Sequence, residues 1–259
     1  MGNDYELFKT KVLSLTGINL SCYKEKQMKR RIDALISKYK VTDYQSFVDI
    51  LKKDRIIFEE FVSYLTINVS EFFRNKEQWD YMEKEVLPEL IQNFGKNLRI
   101  WSAACSTGDE PYSLVMTLSK YIPLNQITIY ATDLDKQILE KAKNGIYGEK
   151  SIAGVPQDLK QKYFEKIGSA YQIKKEIKDR VIFEEQNLLS NEYPNNFHLI
   201  VCRNVLIYFT EDAKNEVFAK FAQSLKKGGV LFIGSTEQIV DYKNLDFERK
   251  NSFFYQKVQ

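Results

Sequence analysis

Between Leu98 and Tyr112 the chain reads Leu-Arg-Ile-Trp-Ser-Ala-Ala-Cys-Ser-Thr-Gly-Asp-Glu-Pro-Tyr, an apolar strand, a run of small residues and a helix start. Small side chains from Ser102 to Gly108 let a ligand reach the backbone, and Pro111 suits the first turn of a helix whose free N–H groups face that ligand. An anionic or ribose-bearing cofactor is expected there. About 20 residues on, a second strand ends in Ala131-Thr132-Asp133, where a carboxylate accepts from both hydroxyls of a ribose. A small-residue loop is often only a tight turn, and a strand-end Asp only a helix cap. Together, at the carboxyl ends of consecutive strands, they mark the edge where open α/β sheets bind ligands. Gly108 is the only glycine of the loop, so the Gly-x-Gly-x-x-Gly turn that admits a pyrophosphate is missing. S-adenosylmethionine has no phosphate, and its ribose and amino-acid ends need polar groups and backbone contacts instead.

The elements that must carry these groups are legible in the hydrophobic pattern. From Tyr5 to about Leu65 the pattern is helical, with Met28, Ile32, Leu35, Ile36 and Tyr39 on one face and Asp43 as an N-cap. After a helix from about Trp79 to Gln92, strands and helices alternate, which predicts a parallel sheet. The strands are expected at Leu98–Trp101, Ile127–Thr132, Val181–Phe183, Leu199–Cys202 and Val230–Ile233, with Phe253–Lys257 as a terminal edge strand. A helix over Asp212–Lys226 is expected to stop at Gly228-Gly229. The stretch from about Tyr147 to Glu185 breaks the alternation and suggests a small antiparallel insertion.

Composition bounds the function. With 259 residues, 28% charged and a net charge of +3, the chain is large enough for a substantial core and lacks the basic excess of a nucleic-acid binder. Cys22, Cys105 and Cys202 are far apart and His198 is the single histidine, so no metal site is expected and free thiols imply a cytoplasmic setting. The N-terminus lacks a signal-peptide pattern, and no apolar run approaches the roughly 20 residues of a membrane span.

Four segments, in this order, carry a family resemblance: Thr66-Ile67-Asn68-Val69-Ser70-Glu71-Phe72-Phe73-Arg74, the loop Trp101 to Tyr112, Arg203-Asn204 with Val205-Leu206-Ile207-Tyr208-Phe209, and Gly234-Ser235-Thr236-Glu237. Over nearly its whole length the chain resembles the chemotaxis receptor methyltransferases of the CheR family. The resemblance implies an α/β fold, a class I methyltransferase-like doubly wound sheet with a small antiparallel β insertion (about 147–186), in a domain spanning 67–259. A small all-α N-terminal domain, 1–66, precedes it. It implies methyl transfer from S-adenosylmethionine to glutamate carboxylates on the cytoplasmic helices of transmembrane chemoreceptors, leaving S-adenosylhomocysteine.

By the same resemblance Asn68, Ser70 and Arg74 contribute to the cofactor site, Glu110 meets the methionine ammonium, and Asp133 takes the ribose. Asn187 and Leu188 flank the adenine, and Arg203 and Asn204 close the site. Ser70 stands where many members have Thr, and Asp109 where the family loop usually has Glu; both keep the functional group.

A glutamate with a reference pKa near 4.3 is already ionised at neutral pH, so desolvation and orientation of its oxygen matter more than a strong base. Tyr208 is the expected donor to one carboxylate oxygen, and Arg74 either holds the incoming acid or ties the linker to the cofactor. Phe72 and Phe73 read as packing, His198 as a strand residue, and Cys105 as chosen for its size. Lys24, Arg31 and Lys38 form a basic stripe, either a solvated flank or a dock for an acidic receptor helix. A monomer without direct membrane insertion or nucleic-acid partner is expected. A non-catalytic cofactor- or receptor-binding adaptor, and a methyltransferase on another acceptor, are the rival readings.

Overall fold

A computed structural model describes residues 2–259. The described residues form two compact units, one of residues 2–68 with 208–216 and one of residues 69–207 with 217–259.

The first unit is helical: α1 (Gly2–Thr16), α2 (Glu25–Lys38), α3 (Tyr44–Lys53) and α4 (Arg55–Thr66). Met28, Ile32, Leu35 and Ile36 are the buried face of α2, as their spacing predicts. Asp43 caps α3 by accepting from the Ser46 N–H, and Asp54 caps α4 through the N–H groups of Ile56 and Ile57. Residues 208–216 return to this unit from far along the chain. Lys24 N–H donates to the Tyr208 carbonyl and Thr210 N–H to the Cys22 carbonyl, each at 2.9 Å. The rings of Tyr23 and Phe209 meet edge to face at 5.0 Å.

The second unit opens with α5 (Lys76–Tyr81) and α6 (Leu87–Phe94), joined by a π-helical turn over Met82–Val86. Pro88 explains the turn, because it has no N–H to give the carbonyl four residues back. There follow β1 (Ile100–Ala103), α7 (Asp109–Leu118), β2 (Ile129–Asp133), α8 (Lys136–Asn144), β3 (Ile146–Gly148), α9 (Gln157–Tyr163), β4 (Phe164–Ile167), β5 (Ala170–Ile173), α10 (Lys175–Lys178), β6 (Val181–Glu185), β7 (Phe197–Cys202), α11 (Glu211–Ser224), β8 (Leu225–Ile233), β9 (Phe247–Asn251) and β10 (Phe254–Lys257). Seven strands form a sheet of order β6-β2-β1-β7-β8-β10-β9, while β3-β5-β4 form a small antiparallel sheet. β1 pairs in parallel with β2 on one side and β7 on the other, so the winding reverses around it. A crevice therefore opens at the carboxyl ends of these strands. Every residue of β1 and β7 is buried, as expected of central strands covered on both faces.

One boundary and two elements differ from the sequence reading. Val181–Glu185 pairs in parallel with β2 as the edge of the main sheet, as its place among the expected strands of that sheet requires, so the insertion of about 147–186 ends before it. Phe254–Lys257 is not an edge strand: it pairs antiparallel with β8 and with β9, whose charged run Glu-Arg-Lys hid a surface strand. Helix α11 passes directly into β8, and the expected stop at Gly228-Gly229 falls inside the strand. A Cβ at Gly229 would come within 2.8 Å of the Lys226 carbonyl, so the glycine serves a close backbone approach there. No helix of the described residues is long and apolar enough to cross a membrane.

Candidate active site

The loop after β1 folds back over the end of β2. Ala104 (φ +59°), Ser106 (φ +49°) and Gly108 (φ +86°) are left-handed, and the resulting turns bring Cys105 N–H to the Thr132 carbonyl at 2.9 Å and Ser106 N–H to Asp133 Oδ2 at 2.8 Å. Gly108 has no room for a side chain, since a Cβ would stand 3.0 Å from both Ala142 Cβ and Tyr112 Cε2. Tyr147 OH donates to the Thr107 carbonyl at 2.7 Å and holds the loop from the other side.

Asp133 is buried, and its second oxygen accepts the Asp135 N–H at 3.0 Å. Each carboxylate oxygen thus keeps a lone pair for a further donor. Burial pushes the Asp133 carboxyl up to about 6, against the opposing pull of the backbone N–H groups. Beside it the Ser106 hydroxyl is buried without a hydrogen-bond partner among the described residues.

Glu110, in the first turn of α7, accepts from Ser102 Oγ at 2.8 Å and stands 3.7 Å from Arg203 Nη1. Burial raises its carboxyl to about 6, with Arg203 the main opposing influence. Its neighbour Asp109 is fully buried, hydrogen-bonded to the hydroxyls of Thr107 and Ser70, and also shifted upward by burial.

Arg203 ends the β7 segment in the same unit. Its Nη2 donates to the Arg74 carbonyl at 2.8 Å, to Gln78 Oε1 at 2.9 Å and to Asn75 Oδ1 at 3.1 Å. The guanidinium lies over the Phe232 ring at 4.7 Å. Arg203 therefore ties the Arg74–Gln78 segment to the sheet rather than offering all its donors to a ligand.

These residues fit S-adenosylmethionine. Asp133 has acceptor capacity for a ribose, Glu110 offers a buried anion to an ammonium, and the buried Ser106 hydroxyl has no hydrogen-bond partner among the described residues. A profile described as the SAM binding domain of CheR methyltransferases matches residues 68–253, and one for their all-alpha domain matches 3–66. The chain belongs to the CheR methyltransferase family. Its CheR relatives include a chemotaxis protein methyltransferase of Listeria monocytogenes, 44% identical over 255 residues that span 98% of this chain and 97% of the relative. The Borreliella burgdorferi protein of the same name is 34% identical, covering 89% of this chain and 86% of its own, and that of Escherichia coli 30%, covering 85% and 79%. As a CheR protein the chain is an S-adenosylmethionine-dependent methyltransferase.

The structure brings Ser70, Arg74, Glu110, Asp133, Arg203 and Asn204 into one unit. Asn187 and Leu188 follow β6 in that unit. Asn187 Oδ1 accepts the Leu189 N–H at 2.9 Å, and Leu188 is buried with its carbonyl bonded to Tyr193 OH. Asn68 and Tyr208 belong to the helical unit, where Asn68 Nδ2 donates to Thr66 Oγ1 at 3.0 Å. Phe72 and Phe73 are buried, and His198 Nδ1 accepts the Arg99 N–H at 2.8 Å from within β7, a structural role for each. Two cations of the basic stripe are engaged inside the helical unit: Arg31 donates to the Tyr64 carbonyl and stacks on its ring, and Lys38 pairs with Glu60. Ser102, Gln78 and Glu237, which bind Glu110, Arg203 and the Asn204 backbone, escaped sequence reasoning as site residues. A polar residue inside an apolar strand was the available signal for Ser102, and the Gly-x-x-Glu run after a strand the signal for Glu237. Among the described residues no cluster suited to a metal ion occurs.

Proposed function

We propose that this CheR protein methylates glutamate side chains on the cytoplasmic helices of chemoreceptors, producing glutamyl methyl esters in the cytoplasm as a monomer. The observation that carries the reading is the pair of buried carboxylates, Glu110 and Asp133, at the crevice around β1, suited to the ammonium and ribose of S-adenosylmethionine. The relatives' name, chemotaxis protein methyltransferase, supports an acceptor within the chemotaxis machinery.

The cofactor supplies a methyl group already activated on a sulfonium, so attack by a carboxylate oxygen needs orientation and desolvation more than a base. Asn68, Ser70 and Arg74 contribute to the cofactor site from the segment before α5, and Leu188 and Asn187 flank the adenine. Arg74 shifts the Glu110 carboxyl downward through its charge, which supports a place for its guanidinium near the methionine end. Tyr208 donates to one oxygen of the acceptor and leaves the other free to react. It lines a small pocket of the helical unit with Lys24, Gln27, Arg30, Arg31 and Ile67, a setting favourable to a carboxylate. Arg203 and Asn204 act by holding the site closed.

The test is transfer of labelled methyl from S-adenosylmethionine to a receptor cytoplasmic fragment, with mild base treatment and Glu-to-Ala acceptor variants alongside. Base-labile label that disappears with the acceptor glutamates is the expected result. Base-stable label indicates nitrogen methylation and another acceptor, and cofactor binding without any label indicates an adaptor.

A further inference from the structure

The turn after β8 carries a carboxylate to which nothing above gives a role in the reaction. Glu237 is only 7% exposed, and its oxygens accept four backbone N–H groups. Oε2 takes Gly234 at 2.7 Å and Asn204 at 3.0 Å, and Oε1 takes Val205 at 3.0 Å and Leu206 at 2.8 Å. Successive N–H groups that converge in this way form an anion cradle. Here the chain supplies its own anion.

The cradle starts at a residue that needs holding. Asn204 is left-handed at φ +60°, a conformation that persists in a non-glycine residue when its surroundings over-determine it. Gly234 makes the space: a Cβ there would lie 2.7 Å from both Asn204 N and Glu237 Oε2. The peptide that Glu237 grips joins Asn204 to Arg203, so its orientation sets the direction in which the Arg203 side chain leaves β7. That side chain in turn reaches Glu110 and the Arg74 carbonyl.

We propose that Glu237 is a positioning residue for the methionine end of the cofactor site, locking the Arg203-Asn204 turn and so fixing Arg203 against Glu110. The inference rests on the assignment of Glu110 to the cofactor ammonium. A carboxylate that merely braced the fold would weaken every ligand alike. A positioning residue for one end of the site weakens only ligands that have that end.

The experiment compares two ligands by calorimetry on the full chain: S-adenosylhomocysteine, and 5′-methylthioadenosine, which keeps the adenine and ribose but has no amino-acid end. In Glu237→Gln the amide NH2 faces N–H donors and the turn loses its grip. In Gly234→Ala the Cβ presses on Asn204 while the charge is retained. In both variants S-adenosylhomocysteine affinity falls about tenfold or more, and methylthioadenosine affinity stays within about twofold. Equal losses for the two ligands, or no loss for S-adenosylhomocysteine in folded protein, overturn the inference. If Glu237→Gln fails to fold, Gly234→Ala decides by the same comparison. Glu110→Gln, measured alongside, reports on the other assignment: unchanged S-adenosylhomocysteine affinity there removes Glu110 as the ammonium ligand, whatever the Glu237 variants do.

Discussion

Glu110 and Asp133 are ionisable groups whose carboxyls are raised by burial, from 4.5 and 3.8, to about 6 in each case. A carboxyl with a raised folded pKa binds its proton more tightly in the folded chain. Its contribution to stability is fully present below about pH 4 and is lost as pH rises through about 6. At neutral pH the ligand-free protein thus holds two buried anions at a cost, and a bound ammonium compensates one of them. S-adenosylhomocysteine affinity is expected to weaken as pH falls through 6, approaching tenfold per unit for each carboxylate that must ionise. Calorimetry between pH 5 and 8 reads this, and Glu110→Gln should flatten the profile while lowering affinity. A flat wild-type profile would mean that neither group meets the ligand as an anion. Gly108 makes a second residue-scale prediction. With φ +86° and neighbours at 3.0 Å, Gly108→Ala is expected to cost about 1–3 kcal/mol in denaturant unfolding and to weaken cofactor binding.

Segments of the chain meet through single side chains, and Arg203 is the clearest instance. One guanidinium holds the Arg74 carbonyl, Asn75 and Gln78 while facing Glu110. Lysine presents a single ammonium and cannot reproduce the planar fork. Arg203→Lys should therefore destabilise by about 2–4 kcal/mol in denaturant titration, and should also weaken cofactor binding because the Arg74 segment is released. A variant with wild-type stability would show that the tie is dispensable. Elements were also where sequence reading was least complete. The charged residues of β9 masked a strand that is satisfied by backbone pairing with β10 rather than by an apolar face. Such a strand carries no alternation to detect.

At the scale of the whole chain, the helical unit takes in a segment that lies far beyond it in sequence. Residues 208–216 belong to the helical unit, joined to it by the Lys24 and Thr210 backbone hydrogen bonds and the Tyr23–Phe209 ring contact. A fragment of residues 67–259 therefore leaves this segment without its partners, including Tyr23, the ring against which Phe209 packs. That fragment is expected to bind a hydrophobic dye and to melt below the full chain. Equal melting temperatures with no dye binding would contradict it. Phe209→Ala in the full chain should reproduce part of the loss, about 3–5 kcal/mol at most for a buried aromatic.

Much of the molecule was legible because local patterns carry it. Helix faces, the Asp43 cap, the strand–loop–helix around Ser102 to Tyr112 and the strand-end Asp133 each follow from spacing or from one residue's chemistry. Periodicity and capping act over a few residues, and such signals survive in a linear sequence. Pairings across the chain do not. That Ser102 and Arg203 flank Glu110, that Glu237 grips the Asn204 turn, that Arg31 and Lys38 are spent within their own helical unit, and that Phe209 packs on Tyr23 were decided only by tertiary structure. Each joins residues distant in sequence, and their closure depends on how sheets and helices stack, which no local pattern encodes.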